Sequence, residues 1–171
     1  MWKVRRDGFR EFAEGRSAHL YRSACLLTSG DTHLAEDLVQ DTLGRMYLLW
    51  GRVNRIDNPA AYAQTVLVRA FLTHQRRRST GERPVGEFPE PGARAAGEAD
   101  PVLRLTLLEA LGRLAPKDRA VLVLRYWEDR SVEETADAMN VSSAAVRTRS
   151  SRALSRLREQ LGGSLAEFSS R

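Results

Sequence analysis

Apolar residues recur along this chain at intervals of three, four and seven, in stretches separated by short polar breaks. Phe9, Phe12, Ala13, Leu20, Tyr21, Ala24 and Leu27 fall at this spacing, which predicts a helix over residues 8–28. Ser29-Gly30-Asp31 interrupts the period, and Asp31 or Thr32 is placed to cap the next helix. That helix is expected to run to Trp50, with Leu34, Leu38, Leu43, Met46, Tyr47 and Trp50 as its buried stripe. Its other face carries Glu36, Asp37, Gln40, Asp41 and Arg45. Acids near a helix start favour the helix dipole, and an exposed acidic face also suits a basic partner. After the polar connection Gly51–Asn58, Asn58 as cap and Pro59 in the first turn open a third helix, expected to reach Arg78. Tyr62, Val66, Leu67, Ala70, Phe71 and His74 are its apolar positions. Its end, Arg76-Arg77-Arg78, has more cations than a helix C-terminus requires, and a phosphate-binding edge accounts for the excess.

The pattern then lapses. Residues 79–100 hold three Pro, four Gly and five acids against Arg83 and Arg94. This composition buries too little apolar surface to offset chain entropy, so a flexible linker is expected. Beyond it Pro101 starts a helix with Val102, Leu103, Leu107, Leu108, Leu111 and Leu114 apolar, and Ala115-Pro116 stops it. Pro116 opens another helix, in which Val121, Leu122, Leu124, Tyr126 and Trp127 are expected to form the core of the second half. Ser131 and Glu134 read as a capping box, Asn140 as a left-handed turn residue, and Ser142 or Ser143 as the cap of a last helix. Val132, Ala136, Met139, Val141 and Val146 fall where two crossed helices touch. The last helix carries Arg147, Arg149, Arg152, Arg156 and Arg158, with Leu154, Leu157 and Leu161 expected in the core. This is the form of a helix-turn-helix that lays its second helix in a DNA groove, and also that of an amphipathic surface helix with a solvated Arg face. The tail after Gly162 is polar and expected to fray. The fold class is therefore all-α: two small helical domains, residues 1–78 and 101–162, joined by an acidic tether at 79–100 and followed by a tail at 163–171.

Charge sharpens this division. The 171 residues carry Lys plus Arg 27 against Asp plus Glu 22, and the net charge is +5. The halves come to +5 and +3 and the tether to −3. Only Lys3 and Lys117 are lysines, and the planar Arg fork suits phosphate and base-edge recognition. The single Cys25 excludes an intrachain disulfide and a zinc site built on several Cys. Its setting among Ala24, Leu26 and Leu27 predicts a small core residue. No apolar run is long enough to cross a membrane, and a cytoplasmic protein is expected. His19, His33 and His74 share no metal-ligand spacing, and neither a Gly-rich phosphate loop nor a Gly-x-Ser-x-Gly elbow occurs. No enzyme, metal or cofactor is expected.

Four segments in order give a resemblance: AEDLVQDTLGRMYLLW (35–50), NPAAYAQTVLVRAFLTHQRRR (58–78), ALGRLAPKDRAVLVLRYWEDRSVEETADAMNVS (110–142) and AAVRTRSSRALSRLR (144–158). The chain resembles the extracytoplasmic-function group of bacterial RNA polymerase sigma factors, most of all its actinobacterial SigE branch. The resemblance implies a factor that binds core polymerase and directs promoter-specific initiation without covalent chemistry. Asp37, Leu38, Gln40, Asp41 and Arg45 would meet the clamp helices of the largest subunit, and the polymerase flap is a further implied contact. Trp50, Arg52, Asn54, Arg55, Tyr62 and Arg69 would serve the minus-ten element, with Arg76, Arg77 and Arg78 on phosphates. Ser143, Ala144, Arg147, Thr148 and Arg149 would lie near minus-thirty-five bases, with Arg152 and Arg156 on phosphate. The tether would thread toward the polymerase channel, and an anti-sigma protein is a further implied partner. Arg69 departs from the pattern, since many members have Asn there. A stand-alone helix-turn-helix regulator is the alternative, but it leaves the DLVQDT segment unexplained.

Overall fold

The computed structural model describes residues 2–80 and 100–169. They form α1 (Trp2–Leu27), α2 (Thr32–Val53), α3 (Pro59–Thr80), α4 (Pro101–Gly112), α5 (Pro116–Leu122) continuing into a π-helical turn (Val123–Trp127), α6 (Val132–Met139) and α7 (Ser143–Ser169). No strand occurs among the described residues. Polar side chains close the helix starts. Asp31 accepts from Leu34 N at 3.1 Å, and Asn58 from Ala61 N at 3.0 Å. Asp100 accepts from Val102 N at 3.0 Å. Between α1 and α2, Ser29 and Gly30 take φ of 56° and 87°, the left-handed backbone that makes this turn tight.

Several boundaries differ from the expectation. α1 begins already at Trp2: no Pro interrupts residues 2–8, and the cost of Gly8 is too small to stop the helix. α2 continues to Val53, which is buried, and stops where the Asn54 N–H turns back to Trp50 O and Arg52 O. α3 takes in Ser79 and Thr80, whose hydroxyls donate to Arg76 O at 2.8 and 3.2 Å. The tail expected to fray is helical as far as Ser169. Of the expected linker, Ser79, Thr80 and Asp100 belong to these helix ends, and its remaining part lies outside the described residues.

The core also departs from a stripe for each half. Leu20, Leu27, Leu38, Met46, Leu67 and Phe71 from the first half share one buried cluster with Val121, Leu124, Ala136, Met139 and Val146 from the second. A smaller cluster of Leu111, Leu114, Leu122 and Ala153 packs against Leu26 and takes Leu154 and Leu157 at its edge. The two helical halves are thus held together rather than apart. Arg119 is buried between them. It donates to Leu27 O at 2.6 Å and Leu114 O at 3.3 Å, and its guanidinium lies 5.7 Å from the centre of the Phe71 ring. Burial pulls its pKa below the usual arginine value. Tyr47, Tyr126 and Trp127, expected in the core, are 44%, 57% and 43% exposed. The last two lie in the π-helical turn, whose wider ring shifts side chains off the α-helical stripe. Cys25 is buried as expected, and burial pushes its thiol pKa up. The neighbouring Tyr21 hydroxyl is pushed up to about 12. Among the described residues, no helix is long and apolar enough to cross a membrane.

Candidate nucleic-acid interface

The helix-turn-helix is built by local chemistry. Ser131 Oγ accepts from Glu134 N at 3.0 Å while the Glu134 carboxylate accepts from Ser131 N at 2.8 Å, which completes the capping box. The Ser131 backbone bond holds Glu134 below the usual glutamate range. Asn140 ends α6 at φ 55° and ψ 49°. A short Asn side chain tolerates that left-handed backbone. Ser142 Oγ then accepts from Ala145 N at 3.1 Å and starts α7. Ala136, Met139 and Val146 are buried at the crossing and fix the rotation of α7.

With Val146 inward, Ala144, Arg147 and Thr148 lie on the exposed side, with Ser143 and Arg149 half-exposed beside them. Arg152, Arg156 and Arg158 continue the exposed basic row. Three of these cations have acidic neighbours within the second half. Arg147 lies 3.4 Å from Glu133, Arg149 3.1 Å from Asp118, and Arg156 3.9 Å from Asp118. Such partly exposed pairs contribute about 0–1 kcal/mol each, so they orient the guanidinium groups and yield readily to a phosphate.

A second basic surface spans the end of α2, the connection and the start of α3. Arg52, Asn54 and Arg55 are exposed, and Tyr62 is half-buried. Leu49, Arg52, Val53, Ile56 and Tyr62 line a shallow concavity of about 180 Å³. Sequence reasoning missed Leu49 and Ile56; the signal was an apolar residue, 41% exposed, inside a polar connection. Trp50 is a correction. It is 7% exposed, with its ring centroid 5.6 Å from Phe9 and 5.0 Å from Phe12, so it braces α2 against α1 and presents no stacking face. Arg76, Arg77 and Arg78 are exposed at the end of α3. Arg69 is exposed, yet its donors are engaged within the chain: its Nε donates to Ala138 O at 2.9 Å and its Nη2 to Asp137 O at 3.1 Å, both on α6.

The α2 face presents Asp37, Gln40, Asp41 and Arg45 together, all exposed, with Arg45 3.4 Å from Asp41. Leu38 departs from its expected contact role, since at 5% exposure it anchors the helix from inside. Leu48, at 78% exposure, extends the row of Asp37, Asp41 and Arg45 by one further helical step and was missed. Missed too were His19, Ser23, Arg119, Trp127, Glu128 and Arg130, whose partners lie across the two halves and leave no local pattern.

Comparison with known proteins fits this arrangement. Residues 16–80 match Sigma-70 region 2 and residues 110–159 match Sigma-70, region 4. The chain is 39% identical over 155 residues to the RNA polymerase sigma-E factor of Streptomyces coelicolor, covering 90% of this chain and 85% of that one. It is 33% identical over 132 residues to the sigma factor CarQ of Myxococcus xanthus, covering 75% of each. Among solved structures, the sigma factor RpoE of Bartonella quintana, in complex with the anti-sigma factor NepR, superposes with a TM-score of 0.71 at 25% identity. That match covers 91% of this chain and 97% of RpoE. With regions 2 and 4 in order and a sigma-E relative alike over most of both chains, the chain belongs to the sigma-70 family, in its extracytoplasmic-function group.

Proposed function

We propose that this chain is a sigma factor that binds core RNA polymerase and directs promoter-specific initiation by recognising minus-ten and minus-thirty-five elements and helping to open DNA. The observation that carries this is the presence, on one chain, of a helix-turn-helix with an exposed Arg row and an acidic helix face within region 2. Asp37, Gln40, Asp41 and Arg45 meet the clamp helices of the largest subunit, and the polymerase flap is a further contact. Arg52, Asn54, Arg55 and Tyr62 serve the minus-ten element, and the concavity that Arg52 and Tyr62 line with Leu49, Val53 and Ile56 accepts an unstacked base. Arg76, Arg77 and Arg78 lie on phosphate. Ser143, Ala144, Arg147, Thr148 and Arg149 approach minus-thirty-five bases, with Arg152 and Arg156 on backbone. The protein works in the cytoplasm, and the likeness to RpoE held by NepR supports an anti-sigma partner. The role is recognition and strand opening, with no bond made or broken by the chain.

Reconstitution with core polymerase tests this. Promoter-dependent transcripts are expected, and their absence at every mapped promoter refutes it. Arg147→Ala is expected to weaken promoter binding by about 1–3 kcal/mol and to relax preference at one position. Asp37→Ala with Gln40→Ala is expected to lose co-purification with polymerase while the far-UV dichroism stays unchanged.

A further inference from the structure

Between Ser143 and Arg158, α7 carries Arg147, Arg149, Arg152, Arg156 and Arg158 and no acid. The acids that meet this row come from other helices, and they meet it unequally. Glu133 of α6 pairs with Arg147 at 3.4 Å, and both side chains are more than half exposed. Asp118 of α5 is only 14% exposed and serves two arginines with different oxygens. Its Oδ1 accepts from Arg149 Nη1 at 3.1 Å, and its Oδ2 lies 3.9 Å from Arg156 Nη1. Arg149 and Arg156 are about two turns apart on one flank of α7, so a single carboxylate stands between them. An acid in the first turn of α5 needs no such partners, because the helix dipole already favours its charge. The start of α5 has no side-chain cap, and the Asp118 oxygens are directed instead to α7.

We propose that Asp118 is a positioning residue that sets the sequence discrimination of α7: it lowers the attraction of Arg149 and Arg156 to DNA of any sequence and orients Arg149 for a base edge. This rests on the minus-thirty-five role proposed above. Sequence-independent attraction to phosphate depends on charge. The Asp118 carboxylate cancels one of the two positive charges that Arg149 and Arg156 bring. Base readout depends instead on the direction of hydrogen bonds. A guanidinium presents five N–H donors on a planar fork, and Arg149 is fastened to Asp118 through Nη1. Held at that nitrogen, the fork loses less freedom when it meets a base. One contact therefore weakens binding to all DNA and strengthens discrimination at the element. Low exposure suits Asp118 to this role, since salt screens a mostly buried charge less than an exposed one such as Glu133.

Titration of the full chain onto a duplex of unrelated sequence, from about 50 to about 200 mM salt, tests the charge effect. Asp118→Asn is expected to bind that duplex about three- to tenfold more tightly, with a log–log salt slope steeper by about one phosphate contact. Asp118→Glu keeps the charge and is expected to restore the wild-type slope. Equal or weaker binding by Asp118→Asn, or no binding by either protein, overturns the proposal. Should Asp118→Asn lose its helical dichroism, Asp118→Ser takes its place under the same criteria. The orienting effect is read with core polymerase. Asp118→Asn is expected to lose about three- to tenfold of the transcript ratio between a promoter and the same promoter with a scrambled minus-thirty-five element. An unchanged ratio overturns the role in discrimination. A wild-type chain that yields no promoter transcript defeats the initiation role instead, and the duplex titration still judges Asp118.

Discussion

Ser131 and Glu134 exchange two hydrogen bonds at 3.0 and 2.8 Å, and together they fix where the helix-turn-helix begins. Ser131→Ala is expected to cost about 1 kcal/mol, read as a lower urea midpoint with unchanged slope. The pair also has a pH signature. Glu134 is held below its ordinary value of 4.5, chiefly because its carboxylate accepts the Ser131 backbone N–H. A depressed carboxylate contributes stability above its unfolded value and loses it as the pH falls through the folded one. Glu134→Gln is therefore expected to lower Tm at neutral pH, with the gap to wild type closing below about pH 4. A gap that persists in acid would assign the effect to packing. Caps such as Ser131, Asn58 and Asp31 were legible in the sequence, because the acceptor and its N–H lie three residues apart. The burial of Trp50 decides between two roles that the same helix face permits, and its deciding neighbours, Phe9 and Phe12, belong to another helix.

At the scale of elements, the π-helical turn after α5 has the largest consequence. Glu128 N bonds Val123 O at 2.9 Å, and Asp129 follows at φ 52°. Widening the last turn this way brings Trp127 and Glu128 over α1, where the Trp127 ring stacks on His19 with centroids 5.8 Å apart. An apolar period predicts a helix over these residues but carries no sign of one extra residue per turn, so Tyr126 and Trp127 were read as core. Glu128 accepts from Ser23 and contacts His19, and its removal strands polar groups at a half-buried contact. Glu128→Ala is expected to lower the unfolding free energy by about 1–3 kcal/mol, measured by urea denaturation at neutral pH. A change below about 0.5 kcal/mol would mean that water replaces the carboxylate there at no loss.

For the whole molecule, the order of helices and the two matched regions were legible because both rest on local period and motif. The packing of one half on the other was not, since Arg69, Arg130 and Arg119 find acceptors 68, 69 and 92 positions away. Nothing in a basic, helical half states which surface of another half it meets. The shared cluster that runs from Leu20 and Phe71 to Leu124 and Val146 has a thermodynamic consequence. When apolar cores are continuous, losing one half exposes the buried face of the other, so the halves unfold together. Calorimetry of the wild-type chain is expected to give one transition with equal calorimetric and van't Hoff enthalpies. Arg69→Ala with Arg130→Ala removes charged donors from the contact but leaves each half's own helices and caps untouched. The same scan on that variant is then expected to split toward two transitions, one for each matched region. If the wild type already melts in two steps, the apolar continuity is too weak to couple the halves, and the arginine contacts alone hold them. If both proteins melt in one step, the shared core dominates and the arginine contacts are secondary to it.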